Sequence, residues 1–205
     1  MIKRIVSNFL LILFAAALIP HSAEAQSNKI QGATPFEFWV DHLPYNTLSH
    51  LCLLNDRVYA ATPYGLLEYT PASNETHRYS KINGLSGSNI TALKADTSSG
   101  TLWIGYASGL VDVLTPQGFK GISDIVESPS YTGLKTINDI SFHNGNAYLA
   151  TNFGIVEFDI TTRLAGRTFL LGPNFSSCKI QSIAISPSGK MLAWSPNHPD
   201  KDLLY

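Results

Sequence analysis

Leu102-Trp103-Ile104-Gly105-Tyr106-Ala107-Ser108-Gly109-Leu110-Val111-Asp112-Val113 occurs in this chain in three versions. The other two are Val58-Tyr59-Ala60-Ala61-Thr62-Pro63-Tyr64-Gly65-Leu66-Leu67-Glu68-Tyr69 and Ala147-Tyr148-Leu149-Ala150-Thr151-Asn152-Phe153-Gly154-Ile155-Val156-Glu157-Phe158. Each reads as an apolar strand, a short turn closed by glycine, and a second apolar strand. The turn glycines Gly65, Gly109 and Gly154 stand 44 and then 45 residues apart. A period of about 40–45 residues built from short strands is the sequence signature of a β-propeller blade.

Working outward from that stretch completes a unit. Residues 90–95 form a preceding strand, and Asp96-Thr97-Ser98-Ser99-Gly100 is a cluster of turn formers. The third unit repeats the plan with a strand over 137–142, a turn at 143–146 and a strand over 147–151. The first has strands over 51–54 and 58–62 around Asn55-Asp56. A fourth unit begins with strands over 180–185 and 190–194. The polar, Pro-containing ending, 195–205, predicts no third strand there.

The second strands are almost continuously apolar, the pattern of strands buried on both faces. The small residues Ala60, Gly105 and Ala150 are expected where neighbouring blades crowd together. A turn of this kind requires a positive φ at Gly65, Gly109 and Gly154, which glycine adopts without a Cβ clash. No helical periodicity follows the N-terminal segment. The fold class is all-β: about three and a half four-stranded propeller blades.

Residues 1–25 read as a signal peptide. Lys3 and Arg4 precede an apolar run over 9–19, and Ala23-Glu24-Ala25 forms a small-x-small cleavage site before Gln26. The run is shorter than the roughly 20 residues that a spanning helix needs. The expected mature domain is 26–205, an incomplete propeller of an exported protein, with an open blade face and strand edge that predict self-association. A net charge of −1 with no basic stripe argues against a nucleic-acid partner. Export permits a disulfide between Cys52 and Cys178. Their placement on the first strands of the first and fourth units favours two free, buried thiols instead.

Few residues form a chemical constellation. Asp41-His42 lacks a nucleophile, and His50, His77, His143 and His198 show no metal-ligand spacing. Glu68, Asp112, Glu157 and Asp159 alternate with apolar residues, which predicts solvent-facing positions. Asn74, Asn89 and Asn174 open Asn-x-Ser/Thr triplets of low specificity. Without a nucleophile elbow, phosphate loop or paired-carboxylate signature, no enzymatic activity, metal or cofactor is expected. The best candidate binding surface is the loop face, including the long link over 120–135. There Tyr64, Tyr106, Tyr131 and Phe153 offer stacking surfaces and Lys135 a cation.

Asn83-Gly84-Leu85-Ser86, Leu102-Trp103-Ile104-Gly105 and Gly109-Leu110-Val111 resemble the two-component-regulator propeller repeat. Trp39-Val40-Asp41-His42-Leu43-Pro44-Tyr45-Asn46, joined to Val58-Tyr59-Ala60-Ala61-Thr62 and Tyr148-Leu149-Ala150-Thr151-Asn152-Phe153-Gly154-Ile155, is similar to the N-terminal propeller of the PorZ family. The resemblance runs over about residues 36–194. It implies a seven-bladed first propeller of which this chain holds blades one to four, followed by a second propeller and a C-terminal secretion signal. It also implies a non-enzymatic cell-surface component of the type IX secretion system, associated with the outer membrane. The partners it implies are PorU, PorV and PorQ in a surface attachment complex, together with anionic lipopolysaccharide. The alternative is the periplasmic glycan-sensing propeller of a hybrid two-component regulator.

Overall fold

A computed structural model describes residues 43–198 and the backbone of Asp202–Leu204. The signal-peptide reading with its Ala25–Gln26 cleavage site, and the Asp41-His42 pair, lie outside the described residues. Three four-stranded antiparallel meanders follow one another along the chain. Blade 1 is β1 (His50–Leu54), β2 (Arg57–Ala61), β3 (Leu66–Thr70) and β4 (Glu75–Tyr79). Blade 2 is β5 (Ile90–Asp96), β6 (Thr101–Tyr106), β7 (Val111–Thr115) and β8 (Gly118–Ile122). Blade 3 is β9 (Ile137–His143), β10 (Asn146–Thr151), β11 (Ile155–Asp159) and β12 (Ala165–Phe169).

Blade 4 corrects the sequence reading. It carries a third strand, β15 (Asp202–Leu204), beside β13 (Ser182–Ile185) and β14 (Met191–Trp194), with Leu192 opposite Leu204. A strand of three residues, Asp-Leu-Leu, is too short to show the apolar run or alternation by which the other strands are read, and only its pairing with β14 defines it. A second difference is α1 (Asp124–Glu127), a single helical turn within the long link between blades 2 and 3.

The first strands β1, β5, β9 and β13 pack against one another in succession, which sets the sheets side by side like blades. Apolar side chains alternate between two neighbours. On β6, Leu102, Ile104 and Tyr106 join a core layer with Tyr59, Ala61 and Leu66 of blade 1. Trp103 turns to the opposite face and packs with Ile140, Leu149 and Phe158 of blade 3. A third layer joins Tyr148 and Ala150 to Ile183 and Ala193 of blade 4. Strand side chains alternate with period two, so a strand with a blade on each side must be apolar throughout. All six β6 residues are buried accordingly. Each buried aliphatic side chain in these layers contributes about 1.5–3 kcal/mol.

The hairpins explain their sequences. Asn55 and Asp56 have φ of 50° and 59°, and Asn144 and Gly145 have 46° and 78°. These are the left-handed pairs of two-residue hairpin turns, which match strand twist. Asn74, Asn89 and Asn174 also have positive φ, so asparagine at each triplet meets a backbone requirement.

The ladder revises the repeat alignment. Ala61 pairs with Leu66 and Ala150 with Ile155, whereas Gly105 pairs with Val111. The turn of blade 2 is therefore one residue longer, and Gly109 is not the counterpart of Gly65 and Gly154. Gly109 has φ of 93° as expected, but Gly65 is not among the positive-φ positions. Its constraint is space: a Cβ there would lie 2.5 Å from the Tyr79 carbonyl oxygen on β4. Gly154 meets the Phe169 carbonyl in the same way. The small residues facing the next blade are Ala61, Gly105 and Ala150, so Ala61 replaces the expected Ala60. At Gly105 a Cβ would come within 2.5 Å of Ile137 Cγ2 on β9.

The longer turn also decides where Asp112 points. A one-residue shift moves a strand side chain to the other face. Glu68 and Glu157 stand opposite Tyr59 and Tyr148, while Asp112 stands opposite Ile104 and faces blade 1. The expectation that these acids face solvent fails. Glu68 is 2% exposed, Asp112 0% and Glu157 7%. Only Asp159 is exposed, accepting hydrogen bonds from the Thr162 amide and hydroxyl. The missed signal is the neighbouring blade stacked on the face that carries each of these three acids, which keeps that face from solvent.

Candidate functional site

The turns joining second to third strands and the links between blades emerge at the same end of the sheets. The Asn89 amide donates to the Pro63 carbonyl, the Ala107 amide to Asn89 and the Ile180 amide to Thr151. Thr62 and Thr151 build the turns at this end. Each side-chain oxygen donates to the carbonyl and accepts from the amide of the following turn glycine, at 3.0 and 3.0 Å for Thr62 and 2.9 and 3.2 Å for Thr151. Sequence reasoning passed over these threonines, although both precede the turn glycine by three residues.

Between blades 3 and 4 this loop end opens into a cleft of about 620 Å³. One wall is the link between β8 and β9, carrying Tyr131. Another is the β10–β11 turn with Asn152 and Phe153, and Lys179, Asn197 and His198 complete the rim. The Tyr131 and Phe153 rings stack with centroids 3.8 Å apart and planes at 14°. Asn138 fixes the lining residue Asn152: its Nδ2 donates to Asn152 Oδ1 at 3.0 Å and to the Ile180 carbonyl at 2.7 Å. Among the described residues no carboxylate lines this cleft, while Lys179 and His198 do. Its polarity therefore suits an anionic or polyhydroxylated ligand.

The structure gathers part of the expected surface and disperses the rest. Tyr131 and Phe153 meet in the cleft, with Phe153 itself buried beneath Tyr131. Tyr64 occupies the corresponding turn of blade 1 and is 47% exposed, away from the cleft. Tyr106 is no binding residue, since it is wholly buried and its hydroxyl donates to Asp112 Oδ2 at 2.6 Å. Burial, then the Asp112 charge, hold its phenol well above the ordinary range. Lys135 also departs from expectation. Its Nζ donates to the Val126 and Ser128 carbonyls at 2.8 and 2.7 Å, closing the end of α1 and bracing the long link.

Both cysteines are free and half-buried. Burial pushes the Cys52 thiol up to about 11 and the Cys178 thiol in the same direction. Cys178 lies in the link before β13 rather than on the blade's first strand. Among the described residues no group of His, Cys, Asp and Glu converges on a metal position. No helix among them is long and apolar enough to cross a membrane.

Two acid clusters lie at the other end of the sheets. Glu68 Oε1 accepts from Arg57 at 2.7 Å and Oε2 from the Tyr79 hydroxyl at 2.8 Å. Burial and then this hydrogen bond push Tyr79 up to about 12. In blade 3, Glu157 accepts from Arg167 at 2.8 Å and from Asn146 and Tyr148. The Arg167 hydrogen bond leads in holding the Glu157 carboxyl below its ordinary range.

Meandering four-stranded blades in radial succession, open between loops at one end, define a β-propeller domain. The chain belongs to the family described as "TSS9, PorZ, N-terminal beta-propeller domain", whose sequence profile matches residues 58–199. Among solved structures it is similar to PorZ of the type IX secretion system of Porphyromonas gingivalis. The identity is 20% and the TM-score 0.62, over 78% of this chain and 23% of that one. It is also similar to the extracellular domain of BT4673 from B. thetaiotaomicron, assigned to a hybrid two component system. There the identity is 16% and the TM-score 0.60, over 76% of this chain and 21% of that one. A second structure of the BT4673 domain gives 16% and 0.62, over 82% and 23%. The chain thus spans less than a quarter of these proteins, and at such identities the likeness establishes the fold. No curated protein sequence matches it.

Proposed function

We propose that this chain is the first propeller region of an exported, non-enzymatic component of a type IX secretion system, serving as a docking scaffold at the cell surface. The observation that carries the reading is the family match over residues 58–199. In this reading the mature domain is 26–205, and the blades belong to a larger ring with seven blades. The partners are proteins of a surface attachment complex, PorU, PorV and PorQ in the family's terms, together with anionic lipopolysaccharide. The cleft between blades 3 and 4 supports the glycolipid part. Lys179 provides a cation and Tyr131 a stacking face, and among the described residues no carboxylate opposes an anion there.

Deleting the corresponding full-length gene tests the role: cargo is expected to be released without its surface anchor, and unaltered cargo modification refutes the reading. At the site, Lys179→Gln and Tyr131→Ala are expected to weaken capture of purified anionic lipopolysaccharide. Unchanged capture by both variants refutes the assignment of the cleft.

The likeness to the BT4673 extracellular domain favours a second reading, a glycan-sensing propeller of a two-component regulator. The coding sequence downstream separates the two. A transmembrane helix and kinase support the sensor, and a second propeller with a C-terminal β-domain supports the scaffold.

A further inference from the structure

We propose that the cleft between blades 1 and 2, at the hairpin end of the sheets, binds an uncharged saccharide unit through a pair of adjacent hydroxyls. This inference goes beyond the docking role and concerns the opposite end from the loop cleft. The cavity measures about 490 Å³, ample for one sugar ring. Its lining includes Arg57, Tyr59, Glu68 and Tyr79 from blade 1, with Leu114 and Pro116 from blade 2.

The spare hydrogen-bonding capacity is specific to this cleft. A carboxylate offers about four acceptor sites. Glu68 is 2% exposed and receives Arg57 Nη1 and the Tyr79 hydroxyl. Glu157, its counterpart in blade 3, receives Asn146, Tyr148 and both a near and a far Arg167 nitrogen, and the cavity at Tyr148 and Arg167 is only about 220 Å³ and is not lined by Glu157. At the interface between these two, Trp103 fills the same position and packs on Phe142 and Phe158. Of the three equivalent places, only the first combines room with an acceptor that has capacity left.

The chemistry of the occupant follows from the lining. The Arg57 side chain is 51% exposed while its Glu68 partner is 3% exposed and lines the cleft from below, so guanidinium N–H donors face outward above a carboxylate that a hydroxyl meets only deep in the cleft. A donor next to an acceptor matches two neighbouring hydroxyls, each able to give one hydrogen bond and take another. Tyr79, only partly buried, supplies a face for sugar C–H groups, with Leu114 and Pro116 across the cleft, while the buried Tyr59 closes its floor. The Arg57–Glu68 pair is neutral overall, so neither an anion nor a cation finds an uncompensated charge.

Saturation-transfer NMR on the purified chain tests this with methyl α-mannoside and methyl α-galactoside at millimolar concentration, and with cyclohexanol as a ring lacking the diol. Transfer is expected to both glycosides and not to cyclohexanol. Arg57→Ala, which changes a half-exposed side chain, is expected to weaken binding about tenfold, the loss of roughly one charged hydrogen bond. Pro116→Trp, on the exposed turn of blade 2, is expected to abolish it without touching the Glu68 cluster. Glu157→Gln is expected to leave it unchanged. The proposal is overturned if neither glycoside shows transfer, if cyclohexanol matches them, if Arg57→Ala and Pro116→Trp both bind normally, or if Glu157→Gln removes binding.

Discussion

Tyr106→Phe removes one oxygen from the middle of the described blades, and the cost follows from what that oxygen serves. The hydroxyl donates to Asp112 Oδ2 at 2.6 Å, and the Ser86 amide donates to the same atom at 2.7 Å. Asp112 Oδ1 has no partner among the described residues, and the side chain is wholly buried. The variant therefore leaves a buried carboxylate with a single donor, the one that ties the link between blades 1 and 2 to β7. A hydrogen bond to a charged group contributes about 1.5–3 kcal/mol, and stranding a buried acceptor costs at least as much. The aromatic ring and its packing stay, so no cavity term enters. We expect a loss of about 2–3 kcal/mol, seen as a lower urea midpoint with an unchanged slope. For a domain of this size that corresponds to a fall of roughly 4–12 °C in the thermal midpoint. Tyr148→Phe is the matched control, since Glu157 keeps Arg167 and Asn146 as donors; its loss should stay below about 1 kcal/mol. A Tyr106→Phe loss under about 0.5 kcal/mol, or equal losses in the two variants, would refute the clamp.

Alkaline pH should destabilise the fold through the same tyrosines. Tyr106 and Tyr79 both titrate higher folded than the unfolded value near 10. Above about pH 10 the native state thus holds protons that the unfolded chain has lost, and stability falls as pH rises. Tyr106→Phe should flatten the midpoint-versus-pH curve above pH 10, and an unchanged curve contradicts the shift. Gly105→Val should cost at least about 1–3 kcal/mol by driving a side chain into Ile137 and Ala92, checked by urea melts; wild-type stability would show that the blades do not close there. Lys135→Met should leave the core intact but free the link between β8 and β9, read as faster limited proteolysis near Ser128–Leu134. Unchanged cleavage would show that the two carbonyl contacts do not brace it. Both cysteines should react with a thiol reagent slowly in the folded chain and fully on unfolding, since burial raises both thiols; a single unreactive pair would mean a disulfide.

The repeat alone determined the architecture. Nearly continuous apolarity in 102–106, a glycine-closed turn and a spacing of 44 and 45 residues leave little besides stacked blades. Local turn chemistry was equally legible, because Asn55-Asp56 and Asn144-Gly145 act within a few residues of themselves. Tyr131 and Phe153 read as loop-face aromatics in the sequence, and the fold brings both to one cleft. Lys179, Asn197 and His198 were not named, for they reach that cleft only because blade 4 folds beside blade 3.

What the sequence misjudged depended on register and on neighbours. Glu68, Asp112 and Glu157 alternate with apolar residues as exposed residues do, yet a neighbouring blade covers the face on which each one lies. One additional residue in the 106–110 turn sends Asp112 to the face opposite that of the two glutamates. Alternation specifies which side chains share a face. Whether that face meets water or another sheet is set by contacts between residues distant along the chain, and those exist only once the blades have assembled.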